Sequence, residues 1–113
     1  MGLLTLLSLW VPLVAAAHAH LEQAEPADGA VLSAAPPQFK LRFADPVQLT
    51  ALSLVSEESS KPQKLGPLPA TAVAQFNVPA PPLSPGHYEL RYRVISADGH
   101  VMAGSVHFSV AAH

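Results

Sequence analysis

The sequence predicts an all-β fold, a small Greek-key (immunoglobulin-like) antiparallel β-sandwich that follows an N-terminal signal peptide. Three observations lead to this prediction. From residue 20 onward, apolar and polar residues alternate by twos in several short segments, and no segment keeps a helical period over a useful length. Turn-forming clusters separate these segments, and proline, with 12 copies, supplies most of them. A chain of 113 residues suits one such domain.

The first 19 residues are typical of a cleaved export signal. The apolar run 2–17 carries no charged side chain and is shorter than the roughly 18 residues of a membrane span. It ends in small residues that offer two Ala-x-Ala frames, so cleavage is expected after Ala17 or after Ala19. No lysine or arginine precedes the run, which a wrongly chosen start codon or an atypical signal would explain, and an uncleaved membrane anchor is the alternative to a cleaved signal. Residues 20–113 are expected to form the exported domain.

Five segments of the mature chain are predicted strands. In chain order they are FKLRFA (39–44), LTALSLV (49–55), AVAQFNV (72–78), HYELRYRV (87–94) and SVHFSV (105–110). In the first, both phenylalanines and Leu41 share one face, whereas Lys40 and Arg42 share the other. In the last two, the apolar residues at even positions are expected to point inward. The stretch from Ser56 to Pro69 has low hydrophobicity and is expected to be a solvated loop.

Composition excludes several classes of function. The chain has six lysines and arginines against eight acidic residues, a net charge of -2, and no long basic run, so nucleic acid is not expected as a partner. It has no cysteine, which excludes both a disulfide framework and a thiolate metal site. The exported domain must therefore be stabilised by its core alone.

Histidine and aspartate near the two ends of the domain indicate a metal site. Cleavage after Ala19 would give His20 a free amine beside its imidazole, two nitrogen donors on one residue. Asp98 and His100, two residues apart in an extended segment, would point the same way, with Gly99 allowing a bulge between them. That tripeptide by itself is more typical of a turn between strands in which Asp98 accepts backbone hydrogen bonds. The combined set is rich in nitrogen with one oxygen, which suits Cu(II).

The order of these motifs resembles that of a known family. "HLEQAEPADGAVL", "FKLRFADPV", "LSPGHYELRYRVISADGH" and "GSVHFSV" are similar to the CopC family of periplasmic copper-binding proteins, and the likeness runs from His20 to Val110. Members of that family are small β-sandwiches that bind Cu(II) through an N-terminal histidine and an Asp-x-His pair near the end of the chain. The resemblance therefore implies a histidine brace formed by His20, Asp98 and His100, with the copper ion as the ligand.

The resemblance also bears on an acidic residue and on methionine. Some members hold an acid near the copper after the strand that matches FKLRFA. Asp45 occupies that position here, and a surface turn acid before Pro46 is the alternative. Members with a Cu(I) site build it from a methionine-rich loop, because thioethers select the soft ion. Met102 is the only methionine after the leader, so no Cu(I) site is expected, and Met102 is expected to pack in the core.

The other histidines are expected to lie outside this site. His87 and His107 fall on the outward faces of predicted strands, and His113 is at the chain end. His18 is a special case. Cleavage after Ala17 would place His20 third from a free amine, an arrangement that itself chelates Cu(II) through backbone amides and would compete with the brace.

These predictions together describe a periplasmic Cu(II) carrier or buffer in copper homeostasis and resistance. The protein is expected to be a monomer and not an enzyme, and to pass copper to an inner-membrane copper transporter or a copper-receiving protein. One alternative is a copper oxygenase, but such enzymes use exposed aromatics on a flat face, and the only tryptophan, Trp10, is in the leader. The other alternative is a metal-free exported immunoglobulin-like interaction module, which is favoured if the mature chain does not begin with histidine.

Overall fold

The computed structural model describes Gly2 and residues 20–112, and in this part of the chain the fold is all-β with no helix. The strands are β1 (Leu21–Glu25), β2 (Ala30–Leu32), β3 (Gln38–Ser56), β4 (Pro62–Lys64), β5 (Val73–Pro79), β6 (Gly86–Ser96) and β7 (Val101–Val110). The predicted all-β fold class is confirmed. The predicted signal peptide, with its two cleavage frames and His18, lies outside the described residues apart from Gly2, as does His113.

Strand β3 is central to the fold because it is long enough to pair with two groups of strands. It is continuous over 19 residues and joins two of the predicted strands, which the sequence analysis had treated as separate. Its first half pairs with β1 and β5, and its second half pairs with β6 and β4. Between the halves lies Pro46, which has no amide hydrogen for a ladder, and the β3–β5 register shifts across this point.

The remaining pairings add β7 and β2 to the sheet. Strands β6 and β7 form a regular antiparallel hairpin from Gly86↔Val110 to Ile95↔Val101. Strand β2 then pairs with the outer edge of β7 in parallel, beginning at Ala30↔Phe108. The other pairings between the described strands are antiparallel, as predicted, and this short parallel pair is the exception. The strand order along the main path is β1-β3-β6-β7-β2.

The core consists of the alternating apolar residues of the long strands. Phe39, Leu41 and Phe43 are buried, as the alternation in FKLRFA predicts. The buried set continues with Val47, Leu49, Leu52, Leu54, Val55, Phe76, Val78, Tyr88, Leu90, Val94, Val106, Phe108 and Val110. Complete burial of one such side chain contributes on the order of 1.5–3 kcal/mol. Because the chain has no cysteine, these contacts replace the disulfides that many small exported domains use.

Two further findings concern the outside of the sandwich. The predicted solvated loop from Ser56 to Pro69 contains the three-residue strand β4, whose residues are all exposed at the edge of β3. Within the described residues, no helix has the length and hydropathy needed to span a membrane.

Candidate metal centre

The hairpin turn between β6 and β7 carries two of the predicted metal ligands. Ile95 and Val101 are the last pair of the hairpin, and the Ser96 amide donates to the His100 carbonyl at 2.9 Å. The Gly99 amide donates to the Ser96 carbonyl, also at 2.9 Å, and Gly99 has a φ of +86°. A turn closed by a residue with positive φ favours glycine at that position, because a side chain there would strain the backbone. The local sequence thus dictates a tight, five-residue connection.

The turn brings Asp98 and His100 together. Nδ1 of His100 lies 2.9 Å from Oδ2 of Asp98, and the His100 amide donates to Oδ1 of Asp98 at 3.3 Å. The Ser96 hydroxyl donates to the same Oδ1. The His100 side chain is 71% exposed and that of Asp98 is 43% exposed, so an ion from solvent can reach the imidazole directly. A carboxylate and an imidazole therefore lie in one place, as predicted, but they do so in a turn and not in an extended segment with a bulge at Gly99.

These hydrogen bonds also set the charge of the turn. The Ser96 hydroxyl is the main cause that lowers the pKa of the Asp98 carboxyl below its usual value, followed by the His100 amide. Desolvation acts in the opposite direction and is outweighed. Both hydrogen bonds stabilise the ionised form, because an anion accepts more strongly than a neutral acid. Asp98 is therefore a carboxylate at neutral pH, the form that binds metal ions.

His20 lies at the start of β1 and is held to the middle of β3. The Ala44 amide donates to the His20 carbonyl at 2.9 Å, next to the pair Leu21↔Phe43. His20 is exposed. The backbone nitrogen of His20 is a peptide amide in the uncut chain, so an amine donor at this residue depends on cleavage of the bond to Ala19.

The start of β1 and the end of β6 face each other along one side of β3. Val47 pairs with Val73 of β5 on one side and with Ser96 of β6 on the other. Strand β5 also pairs with the first half of β3, opposite β1, so β1 and β6 share a side. Both strands are antiparallel to β3, so β1 begins and β6 ends at the short gap that their pairings leave on β3. The gap measures on the order of 10 Å in an extended strand.

Asp45 lies inside this gap, and its side chain is half-buried. It follows Ala44, which holds His20, and precedes Val47, which pairs with Ser96. The topology therefore brings to one region of the fold all four residues that the sequence analysis singled out. No hydrogen bond or ion pair joins Asp45 to the others in the described part of the chain, and its role as an accessory ligand stays a prediction.

The four candidates do not form a closed site in the uncut chain. Within residues 20–112, no group of three or more histidine, cysteine, aspartate or glutamate side chains is arranged to hold a metal ion. The structure thus assembles Asp98 with His100 and places His20 on the same side of β3, without joining the two parts. The assignment of His20, Asp98 and His100 as ligands stays a prediction.

The structure also describes Met102 and two of the histidines that were not predicted to be ligands. Met102 packs against the hydrophobic core. His87 and His107 are exposed on the outer face of the hairpin. Asp28 binds His107, because its Oδ1 accepts the His107 amide at 2.8 Å and lies 3.4 Å from Nδ1 of the ring.

Ser96 was not among the residues predicted from the sequence. This residue is 8% exposed and is the one buried polar side chain among the described residues. The sequence carries a signal that could have identified Ser96, since it precedes Asp98 by the same two residues that separate Asp98 from His100. A serine that precedes an Asp-x-His pair by two residues is placed to donate to the aspartate.

A search of protein families matches one family to almost the whole domain. The model of the CopC domain matches residues 21–111. Among curated proteins, Protein YobA of Escherichia coli (strain K12) is 37% identical over 99 residues, which cover 83% of this chain and 79% of that protein.

Solved structures show the same likeness in three dimensions. The CopC structure from Methylosinus trichosporium OB3b matches with a TM-score of 0.72 and 28% identity, covering 85% of this chain and 96% of that one. PcoC from Escherichia coli, described as a methionine-rich copper resistance protein, matches with a TM-score of 0.56 and 30% identity, covering 83% of this chain and 99% of that one.

Proposed function

Because the chain belongs to the CopC domain family, we propose that it binds Cu(II) in the periplasm and acts in copper homeostasis and resistance as a carrier or buffer. The proposed site is a histidine brace that forms after export. The amine and imidazole of His20 supply two nitrogen donors, His100 supplies a third, and Asp98 supplies a carboxylate oxygen. Asp45 is a candidate for an accessory oxygen ligand.

One observation carries this proposal, the pairing of Asp98 and His100 at 2.9 Å on a tight turn that faces the start of β1. Neither residue is needed there for the core, since both are exposed. Their position is supported by hydrogen bonds of the turn itself, so the pair is preorganised before an ion arrives. Removal of residues 1–19 would free the nitrogen of His20 at the other end of the same gap.

The donor chemistry favours Cu(II) over Cu(I). Nitrogen and oxygen donors in a tetragonal arrangement suit Cu(II), whereas Cu(I) prefers thioethers and thiolates. The chain has no cysteine, and Met102 packs against the core. We therefore propose that the protein has no methionine-rich Cu(I) site, in contrast to the methionine-rich PcoC. Reduction by ascorbate is expected to release the copper, and retention at similar affinity would contradict this ligand set.

A carrier or buffer follows from the shape of the proposed site. The ion would sit at the surface, where it exchanges with a partner by direct contact. The partner is proposed to be an inner-membrane copper transporter or a copper-receiving protein, and the chain to act as a monomer.

The decisive experiment is intact mass spectrometry of the exported protein with and without Cu(II). The expected result is a chain that begins at His20 and gains one copper ion. His100→Ala is expected to lose the ion, whereas His107→Ala, on the outer face of the hairpin, is the matched control and is expected to retain it. A mature chain that begins at another residue would remove the brace. A chain that begins at His20 and binds no copper would favour a metal-free interaction module.

A further inference from the structure

We propose that Ser96 is the positioning residue of the copper site, because its hydroxyl holds Asp98 so that the free carboxylate oxygen is directed at the ring of His100. This inference rests on the proposed function and names the residue on which the geometry of the metal-binding pair depends. Ser96 itself is not expected to touch the ion, since its side chain is buried beneath the turn.

The burial of Ser96 indicates that its hydroxyl needs a hydrogen-bond partner. A hydroxyl removed from water is costly unless it makes a hydrogen bond. The Ser96 side chain is 8% exposed, and its hydroxyl donates to Oδ1 of Asp98, while its oxygen also lies 3.2 Å from the His100 carbonyl. A small apolar residue would pack at a strand end at least as well. The hydroxyl therefore serves the turn rather than the core.

The two carboxylate oxygens of Asp98 have different hydrogen-bond partners. Oδ1 accepts from the Ser96 hydroxyl and from the His100 amide. Oδ2 is left to face Nδ1 of His100 at 2.9 Å. Without the Ser96 hydroxyl, the carboxylate can rotate about its last side-chain bond, and the two oxygens lose their separate partners. The position of Ser96 thus determines which oxygen meets the imidazole.

The contact with Asp98 also determines the tautomer of His100 in the metal-free protein. A carboxylate only accepts hydrogen bonds, so a neutral imidazole that faces Oδ2 through Nδ1 must carry its proton on Nδ1. In the metal-free protein such a carboxylate orients the histidine ring, and loss of an orienting partner typically weakens metal binding by about 10–100-fold. Ser96 acts one step further out, through Asp98.

The contrast with His107 supports this argument. Its Nδ1 also lies near an aspartate oxygen, but at 3.4 Å from Asp28, and among the described residues no hydroxyl donates to that carboxylate. The Asp28 contact therefore provides an internal reference within the same hairpin. We expect the His107 ring to be less strictly held than the His100 ring.

The test begins with the metal-free mature protein. Nitrogen NMR at alkaline pH is expected to show His100 with its proton on Nδ1. In Ser96→Ala this preference is expected to weaken toward the mixture of a free imidazole, while the spectrum of His107 stays unchanged. A His100 tautomer that is the same in the wild type and in Ser96→Ala would overturn the proposal, whatever the protein does with copper.

Copper binding provides the second measurement. Ser96→Ala is expected to bind Cu(II) about tenfold or more weakly, with a changed electron paramagnetic resonance spectrum. Ser96→Thr keeps the hydroxyl and is expected to restore both. Ser105→Ala on β7 is the control for loss of a hydroxyl from the same sheet, and thermal unfolding of each variant shows that it is folded.

The outcomes separate this inference from the proposed function. If the wild type binds no copper, the proposed function is wrong, and the tautomer measurement alone decides the role of Ser96. If the wild type binds copper and Ser96→Ala binds it equally tightly with the same spectrum, the positioning role is wrong and the proposed function stands. A loss of affinity that Ser96→Thr does not restore, with an unchanged His100 tautomer, would assign Ser96 a purely structural role and overturn the inference.

Discussion

Replacement of Gly99 by alanine is expected to destabilise the fold and weaken copper binding together, because Gly99 closes the turn that carries Asp98 and His100. Its φ of +86° lies in a region that residues with a side chain rarely adopt. A Cβ built on Gly99 meets no atom within 4 Å, so the substitution introduces no clash with neighbouring residues. The cost therefore comes from the backbone conformation alone.

The expected loss of stability can be estimated from the backbone conformation, because no clash adds to it. A side chain in the left-handed region costs roughly 1–2 kcal/mol. For a domain of this size, each kcal/mol lowers the melting temperature by roughly 4–8 °C. Asparagine tolerates the left-handed region better than alanine, so Gly99→Asn is expected to lie between the wild type and Gly99→Ala. If the turn instead adapts by moving the backbone, the alanine and asparagine variants will be equally stable.

A matched control is available at Gly29, which has a φ of +83° and equally open surroundings. Gly29→Ala is expected to lose the same stability in thermal unfolding, whereas its affinity for Cu(II), measured by isothermal titration, stays at the wild-type value. Only Gly99→Ala is expected to lose affinity. Two outcomes would refute the reasoning: wild-type stability in Gly99→Ala, or an equal loss of copper affinity at both glycines.

Three further predictions concern stability. Leu90 is 1% exposed in the core. Leu90→Ala is expected to lower the free energy of unfolding by about 2–5 kcal/mol, measured by urea unfolding. A loss below about 1 kcal/mol would mean that neighbouring side chains move to fill the cavity. Gly104→Ala would place a Cβ 2.5 Å from Cζ of Tyr92, so a loss of about 1–3 kcal/mol is expected, and unchanged stability would contradict this packing of the ring. The His107 amide lowers the pKa of the Asp28 carboxyl below its usual value. Ionised Asp28 therefore stabilises the fold above this value, and the contribution is lost as pH falls through the lowered pKa. Asp28→Asn is expected to melt below the wild type at neutral pH and to converge with it in acid, whereas a difference independent of pH would exclude the charge.

The faces of the strands could be predicted from the sequence because alternation by twos is a local property. Phe39, Leu41 and Phe43 are buried where the pattern placed them. The closeness of Asp98 and His100 was predicted from their spacing in an extended segment, but the structure brings them together in a turn in which Asp98 accepts a backbone hydrogen bond, the alternative for this tripeptide. The short strands β1, β2 and β4 were not predicted, because segments of three to five residues carry too little periodicity to be distinguished from loops.

The arrangement of the strands could not be predicted in the same way. Nothing in the local pattern shows that residues 38–56 form one strand, since Pro46 reads as a break and the register shifts beside it. The parallel pairing of β2 with β7 joins segments separated by more than seventy residues. Such pairings depend on which edges remain open after the long strands have packed.

The sequence by itself determined the fold class, the inward and outward faces of the long strands, and the chemistry of the candidate ligands. These properties depend on residue type and on spacings of one or two residues, which the chain carries locally. Only the tertiary structure decided that β1 begins and β6 ends on the same side of β3, which brings His20 toward Asp98 and His100. It also decided that Ser96 is buried beneath that pair. The physical reason is that pairing of distant strands and burial of a side chain are collective outcomes of packing.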